Sequence, residues 1–346
     1  MVSIKDVARV AGVSDKTVSR VVNGEANVHP DTQEKVERAI AELNYVPNLS
    51  ARLVRTNRSH SLGIMTDLVS TTPYSGDIVR GVQDWAKAAG RTVLITNTGG
   101  DPDEERRAWR TFQEHRIDGI IYATMAHREV AVHEEMLPLP VVLVNCSSVA
   151  DPKVPAIVPN DYAGSVTLTE MLLSLGHRRI GYIRLNPALK AAHLRLAGFR
   201  DVMKRHDVAV DEALILDGMF GPVGQDTNVS YESTVSLLSQ AERPTAIIAG
   251  NDEIALQVYC GVLSSGLRIP EDVSIVGFDD FQTVSRGLRP QLTTAALPYY
   301  TLGFEGARLL EAILSGKAVS GKREIDCPLV FRQSAGPANR EREPKD

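Results

Sequence analysis

The sequence predicts a small all-α unit that opens on a helix-turn-helix, followed by a large α/β portion built on parallel sheets. Three observations predict it. Residues 4–23, IKDVARVAGVSDKTVSRVVN, show two stretches of helical apolar spacing separated by a glycine. Residues 48–60 hold Arg52, Arg55 and Arg58 and no acidic residue. Beyond residue 60, short β-branched apolar runs alternate with helical segments.

Ile4, Val7, Ala8 and Val10 recur at helical spacing and predict the inner side of a first short helix. Gly12 ends that helix, because glycine enters a left-handed turn without steric cost. Ser14 is placed to cap the next helix by accepting from amides two or three residues on. Val18, Val21 and Val22 give the second helix its buried face. A third helix is expected over residues 28–43, with Pro30 in its first turn and Val36, Ile40 and Leu43 as its apolar stripe. Two short helices joined by a glycine turn form a unit whose second helix enters the major groove of duplex DNA. Asp15, Lys16, Ser19 and Arg20 are the polar positions left facing outward. Lys16 and Arg20 can donate to the O6 and N7 acceptors of guanine, and Thr17 or Ser19 can reach phosphate. The competing reading is a pair of surface helices in some other small domain. The third helix and the basic stretch weigh against it.

Strands are expected over residues 61–65, 92–96, 119–123, 141–145, 180–183, 246–249 and 273–277. Helices are expected over 78–89, 106–115, 164–175, 196–205, 232–239 and 253–265. Continuous apolar strands covered by helices on both faces indicate parallel sheets.

Composition bounds the rest. A chain of 346 residues, 43% hydrophobic, can bury a large core and suits two or three domains. The net charge of −5 superficially argues against a nucleic-acid partner. Residues 1–60, however, carry nine Lys/Arg against seven Asp/Glu, a net of +2, which leaves 29 against 36, a net of −7, elsewhere. Positive charge thus sits where phosphate must be met, and the acidic remainder limits sticking to DNA. Cys146, Cys260 and Cys327 are isolated and lack metal-ligand spacing, which suits small apolar residues in a reducing compartment. With no amino-terminal signal segment and no apolar run near 18 residues, a soluble cytoplasmic chain without membrane partners is expected. The phosphate-binding, dinucleotide-binding and nucleophile-elbow glycine motifs are missing from the sequence, and its eight histidines are scattered without metal spacing. No enzymatic activity, cofactor or metal is therefore expected.

The order D-V-A-x-x-A-G-V-S, T-V-S-R-V-x-N, A-I-A-E-L-x-Y-x-P-N and A-R occurs here as Asp6–Ser14, Thr17–Asn23, Ala39–Asn48 and Ala51-Arg52. In these motifs the sequence resembles the LacI/GalR family of bacterial transcription regulators, and the match runs nearly end to end. The resemblance implies a helix-turn-helix headpiece over 1–47, a hinge helix and linker over 48–60, and an effector-binding and dimerisation domain over 61–335. It also implies Asp15, Lys16 and Arg20 as base-reading residues, with Thr17, Ser19 and Asn23 nearer the phosphates. Residues 50–55 would form a hinge helix that folds on the operator and wedges one apolar side chain into the minor groove. Two departures bear on this. Val54 stands where the family usually has a wedging leucine, so the kink would be shallower or Leu53 would share the task. His29 stands where a serine cap is common; its imidazole can accept an amide hydrogen or touch phosphate.

The larger portion resembles the two-lobed, periplasmic-binding-protein-like fold, with lobe crossovers implied near 160, 290 and 320. In that fold the ligand sits between the lobes at the carboxyl ends of the strands, and closure is a hinge motion. The effector candidates are accordingly Asp67, Thr72 and Tyr74 after the first strand, Thr124 after the third, and Asn251 and Asp279 after later strands. Arg195 in R-L-A-G-F and Phe220 join them by resemblance. Carboxylates and amides suit adjacent sugar hydroxyls, and an aromatic face covers the apolar side of a ring. For Asp252 and Asp280 a capping role is at least as strong a reading as ligand contact, and Asp161 reads as a cap or lobe-interface residue. Leu297 is apolar where some relatives use a polar contact, so the ligand can differ from theirs. His177, in Gly176–Gly181, reads as a structural turn between helix and strand. The resemblance implies a homodimer on a near-palindromic operator, probing DNA under control of a small molecule, with a carbohydrate as the expected effector. Residues 336–346 lack leucine heptads and are expected as a disordered tail. The alternatives are a ligand receptor or an α/β enzyme without DNA function.

Overall fold

Apolar spacing at the amino terminus produces three helices, α1 (Ile4–Ala11), α2 (Asp15–Val22) and α3 (Pro30–Glu42). This computed structural model describes residues 2–22, 27–45, 59–72, 75–132 and 138–338, and the chain divides into two units, Met1–Ser59 and His60–Asp346. Val7, Ala8, Val18, Val36 and Ala39 form the core of the first unit, ringed by half-buried Ile4, Val21, Val22, Ile40 and Leu43. Val10, expected inward, is instead 43% exposed. The buried stripe of α1 runs through positions 4, 7, 8 and 11, and residue 10 falls off it. Gly12 ends α1 with a left-handed φ of 66°, which an L side chain adopts only with strain. Ser14 Oγ accepts from the Thr17 amide at 3.2 Å and caps α2. The expected cap by His29 is not made: its ring makes no capping bond and lies 3.7 Å from the Asp31 carboxylate. Pro30 opens α3 where a missing N–H costs nothing.

The second unit begins with β1 (Ser61–Thr66), α4 (Gly76–Ala88), β2 (Thr92–Asn97), α5 (Pro102–Glu114), β3 (Gly119–Val130), β4 (Val141–Ser148) and β5 (Ala156–Pro159). There follow α6 (Asp161–Ser174), β6 (Ile180–Arg184), α7 (Lys190–Arg205), β7 (Ile215–Asp217), β8 (Met219–Phe220), β9 (Thr227–Asn228) and α8 (Ser230–Leu238). The chain continues through β10 (Ala246–Ala249), α9 (Asp252–Ser264), β11 (Ser274–Asp279), α10 (Gln282–Ser285), β12 (Thr293–Ala296), α11 (Tyr299–Leu314), β13 (Lys322–Ile325) and β14 (Leu329–Val330).

These elements build two six-stranded sheets, ordered β13-β5-β4-β3-β1-β2 and β14-β12-β11-β10-β6-β7. Every neighbouring pair in them is parallel except β12 and β14. The central strands of each sheet are buried on both faces, which is why strands such as Val141–Ser148 and Ala246–Ala249 open as unbroken apolar runs. In the first lobe, α4 and α11 cover one face, with Ile78, Val82, Leu302 and Leu310 against Ile64, Ile121 and Val142. Trp109 and Phe112 of α5 cover the other. Helices α4 and α11 touch backbone to backbone. A Cβ added at Gly81 would meet Tyr300 O at 2.1 Å, and one at Gly303 would meet Ile78 O at 2.0 Å. In the second lobe α6 and α7 cover one face, while α8 and α9 cover the opposite one.

The chain passes between the lobes at residue 160, at 297–298 and at 326–328, where 160, 290 and 320 were expected. Helix α11 and strands β12, β13 and β14 have no counterpart among the expected elements. Residues 336–338, expected in a disordered tail, are instead bonded to the second lobe. Gly336 N donates to Ser274 Oγ at 3.1 Å, and Ala338 N to Leu175 O at 2.9 Å.

Candidate functional site

Two surfaces carry polar groups that the folding core does not consume. The first lies on α2. Ser14, Asp15, Lys16 and Arg20 are exposed, and Thr17 and Ser19 are half-buried, while Val18 turns inward to the core. The face therefore presents a basic and hydroxyl-bearing row on a short helix held rigidly from behind. Ser14 Oγ also bonds Thr17 Oγ1 at 2.9 Å, which fixes both hydroxyls at the start of that row. His29 is exposed at the start of α3. Asn23, Leu53 and Val54 lie outside the described residues, as does Tyr74.

The second surface is a cleft of about 310 Å³ between the lobes. Its place follows from strand order. In the first sheet the order reverses between β1 and β3, and in the second between β6 and β10, so crevices open at those carboxyl ends. From the first lobe come Leu68 and Thr72 after β1, Met125, Ala126 and His127 within β3, and Asn145 in β4. From the second come Leu185 and Leu189 after β6, Arg195 in α7, and Asn251 and Glu253 after β10. Asp279 closes the end of β11, and the β8–β9 hairpin adds Met219, Val223 and Asp226. Leu297 and Tyr299 line the cleft from the second crossover.

A wide bulge pushes part of β3 into this space. Ala123 pairs with Val144 and Arg128 with Cys146, so residues 124–127 stand opposite Asn145 alone. The bulge frees backbone carbonyls, and Asn145 Nδ2 donates to two of them, Thr124 O at 2.9 Å and Met125 O at 3.0 Å. His127 is thereby carried across to the second lobe, where its Nδ1 lies 2.6 Å from Asp161 Oδ2.

Arg195 is the centre of the second lobe's contribution. Its Nε donates to Asp161 Oδ1 at 2.7 Å, its Nη1 to Gly250 O at 2.6 Å, and Asp279 Oδ1 lies 3.7 Å away. The guanidinium also stacks 3.7 Å from the Phe278 ring centroid. Burial opposes its charge, but Asp161 and Asp279 outweigh that and raise its pKa further above the usual arginine range. Burial likewise works against the Asp161 carboxylate, yet Arg195 and then His127 hold it below the ordinary value. Asp279 is pushed up to about 7 by burial, against the pull of Arg195. Burial also raises Glu253, assisted by Asp226. The backbone takes left-handed φ values of 126° at Asp279 and 53° at Asp280, a turn that aims the first carboxylate at the cleft and the second away from it.

Of the effector candidates, Thr72, Arg195, Asn251 and Asp279 are brought together at the cleft. Asp67, Thr124 and Phe220 are not. Asp67 serves the bulge, accepting from Met125 N at 2.9 Å and Arg128 Nη2 at 3.2 Å. Thr124 Oγ1 is spent on Asn145 O at 2.8 Å. Phe220 is 48% exposed, because side chains alternate along β8 and Met219 takes the inward position. Asn251 doubles as the cap of α9, accepting from Ile254 N at 2.8 Å. Asp252 and Asp280 are structural. Asp252 accepts from Phe281 N and Thr294 Oγ1, both at 2.8 Å, and Asp280 from Ser285 Oγ and Arg332 Nη2, both at 2.7 Å.

Sequence reasoning missed His127, Asn145, Asp226 and Glu253. Asn145 closes an anticipated strand and Glu253 adjoins Asn251, so the rule that named the others reaches both. His127 sits beyond the anticipated end of β3, and Asp226 lies on a hairpin with no periodic signal. Among the described residues no group of three or more His, Cys, Asp or Glu is placed to hold a metal. No helix among them is long and apolar enough to cross a membrane.

Comparison with known proteins follows the same division. A family model described as bacterial regulatory proteins, lacI family, matches residues 3–48. One described as periplasmic binding proteins and sugar binding domain of LacI family matches residues 59–333. The sucrose operon repressor of Shigella flexneri is 35% identical over 96% of this chain and 100% of its own. A LacI-family protein from Rhizobium etli is 51% identical, with a TM-score of 0.76 over 81% of this chain and 100% of its own. The Lac repressor dimer bound to operator and the anti-inducer ONPF is 28% identical, with a TM-score of 0.81 over 97% of this chain and 99% of its own. With both units matched and relatives aligned nearly end to end, the chain belongs to the LacI family of bacterial regulatory proteins.

Proposed function

We propose that this chain is a transcriptional repressor that grips an operator through α2 and releases or tightens that grip when a small carbohydrate occupies the interlobe cleft. The observation that carries the reading is the coexistence, in one chain, of an exposed recognition face and a ligand-sized cleft at the switch points of both sheets. Lys16 and Arg20 read guanine edges, Asp15 accepts from a cytosine amine, and Ser14, Thr17 and Ser19 anchor phosphates. His29 adds a phosphate contact. Asn23, Leu53 and Val54 keep the roles expected of them. Two copies pair and present two such helices to half-sites of a near-palindromic operator, since protein and DNA symmetry must match. The Lac repressor neighbour is a dimer on its operator, which supports this assembly. The effector class is supported by the sugar-binding description of the matched domain and by the kinship with a sucrose operon repressor.

Coupling follows from geometry. The cleft is lined from both lobes, so a ligand that favours one lobe arrangement shifts the population toward it. Residues 48–60 join the two units and transmit the change to the operator. The coupling is reciprocal: operator DNA must change effector affinity by the same factor. A regulator of this kind works in the cytoplasm and needs no catalytic group. A gel-shift of the full chain against genomic fragments tests the reading. Sequence-selective retardation that a sugar alters is expected; uniform retardation of all fragments, or none, would overturn it.

A further inference from the structure

Strands β8 and β9 are two residues each and pair with each other in a sheet of their own, Met219 opposite Asn228 and Phe220 opposite Thr227. An isolated two-stranded hairpin is marginally stable in water, so contacts outside it must hold it in place. Its root is firm. Gly218 N donates to Arg184 O at 2.9 Å, and Gly218 O accepts from Val229 N at 2.8 Å and Ser230 Oγ at 3.0 Å. The tip is held differently. Residues 220–228 are all exposed, yet Val223, Gly224, Asp226 and Asn228 also line the cleft. The tip is therefore one layer thick, with solvent on one side and the cleft on the other.

Two contacts keep that layer down. The first comes from its own lobe. Asn186, buried just after β6, spends both hydrogens of Nδ2 on the hairpin, one on Gly221 O at 2.7 Å and one on the Asp226 carboxylate. Its Oδ1 accepts from Ala188 N at 2.9 Å, which fixes the amide the right way round. One side chain thus pins both ends of the segment 222–225. The second contact comes from the opposite lobe. Gly224 packs against Leu68, which follows β1; a Cβ added at Gly224 would lie 3.3 Å from Leu68 Cδ1. The tip therefore spans the mouth of the cleft from lobe to lobe. Gly221 and Gly224 hold left-handed φ values of 107° and 87° on either side of Pro222 and Val223, the backbone freedom that a bending loop needs.

We propose that the β8–β9 hairpin is a gate over the mouth of the cleft, pinned by Asn186 and seated on Leu68, and that small molecules enter and leave as its tip lifts at Gly221 and Gly224. The traffic it controls is the effector's on the reading of the cleft as the effector site. Its test needs neither effector nor operator, so its failure would leave gel-shift activity, and the repressor reading, untouched.

The test is a reporter thiol in the cleft, Leu297→Cys, in a full chain that also carries Cys260→Ser at the exposed cysteine. Leu297 lines the cleft from the second crossover, apart from the hairpin and from both of its contacts. N-ethylmaleimide is the probe, and mass spectrometry reads its addition. Cys260→Ser alone gives the background from buried Cys146 and Cys327. The reporter is expected to react at least about 10-fold more slowly than Cys260 does in the parent chain, because opening must precede reaction. Asn186→Ala is expected to speed the reporter about 5-fold or more, the worth of one hydrogen bond on the opening equilibrium. Leu68→Ala is expected to speed it about 3-fold or more through the lost apolar seat. Cooperative thermal melting shows whether each variant is folded, and Leu68→Ala alone decides if Asn186→Ala is not. A fixed wall would leave the reporter at its original rate in the folded variants and would overturn the proposal. So would a reporter that reacts as fast as Cys260. Lys190→Ala breaks the contact of Lys190 with Glu129 between the lobes at 3.1 Å and tests the competing route. Acceleration there, with none in Asn186→Ala or Leu68→Ala, would assign entry to lobe opening and overturn the gate.

Discussion

His127 and Asp161 join the two lobes through a buried contact: Nδ1 of the one lies 2.6 Å from Oδ2 of the other. His127 belongs to the bulge of β3 in the first sheet, and Asp161 opens α6 just beyond the first crossover. Asp161 passes the contact on to Arg195, and Arg195 to Asp279, so a chain of polar contacts runs from lobe to lobe along the cleft. His127→Leu is expected to destabilise the effector unit by about 1–3 kcal/mol, the cost of stripping one partner from a buried polar group. The loss stays below that of an isolated buried ion because Arg195 continues to hold Asp161. Urea denaturation checks it, and a midpoint equal to the parent's would show that the contact adds nothing to lobe docking.

Arg20→Ala should separate the two functions. Arg20 is exposed on the outer row of α2, away from the core formed by Val7, Val18 and Val36. Its loss is expected to lower affinity for the specific operator by about 10-fold or more, the worth of one bidentate base contact. Effector binding should be unchanged. Fluorescence anisotropy with operator and with a scrambled duplex reads the difference. An equal loss on both duplexes would reassign Arg20 from base reading to phosphate contact.

How much of this was legible in the sequence follows from where the signals were periodic. The three helices around Val7, Val18 and Val36 announce themselves because a short amphipathic helix has one buried stripe. Strands such as Ala246–Ala249 read equally well, since a strand buried on both faces is unbroken apolar sequence. The bulge at 124–127 left no such trace. It breaks the apolar run after Ala123 and thereby hid both His127 and the second half of β3. Val10 misled because one extra apolar residue beside the stripe looks like part of it. Phe220 misled because position in a motif does not say which face of a two-residue strand looks inward. Of the candidates that line the cleft, Thr72, Asn251 and Asp279 were placed by strand ends, where parallel-sheet topology dictates the opening, whereas Arg195, inside a helix, was named by the R-L-A-G-F resemblance alone.

Asp279 supports a prediction in both binding and pH. Burial lifts its carboxyl to about 7 in the folded chain, above the ordinary 3.8. The folded state therefore binds the proton more tightly than the unfolded state. This contribution to stability is complete below the unfolded value and is lost as pH rises through about 7. Asp279→Asn removes the titrating group, so the parent's loss of thermal stability between about pH 4 and pH 7 should flatten in the variant. Asp279→Ala should retain operator binding and lose the response to effector. Parallel melting curves and an effector dose-response in the gel-shift check both. A variant that melts with the parent's pH slope and answers effector at the parent's dose would remove Asp279 from the cleft's chemistry.

His177 predicts the opposite slope. It is buried between lobe and carboxyl-terminal segment, with Nδ1 2.9 Å from Thr245 Oγ1 and Nε2 3.0 Å from Gly336 O. A ring nitrogen facing a carbonyl must carry hydrogen, so Nε2–H donates to Gly336 O and neutral Nδ1 accepts from the threonine hydroxyl. Burial lowers its pKa below the ordinary 6.5, with the Gly336 bond only partly offsetting it. The unfolded chain therefore takes up the proton first, and stability falls as pH drops below about 6.5 toward the lowered native value. His177→Gln should cost about 1–2 kcal/mol at pH 8, where the parent's two bonds are intact. Its stability should then decline less than the parent's on going to pH 5. Denaturant midpoints across that range decide the matter: parallel curves for parent and variant would mean that His177 takes up its proton equally in folded and unfolded chains and bears no part of the acid response.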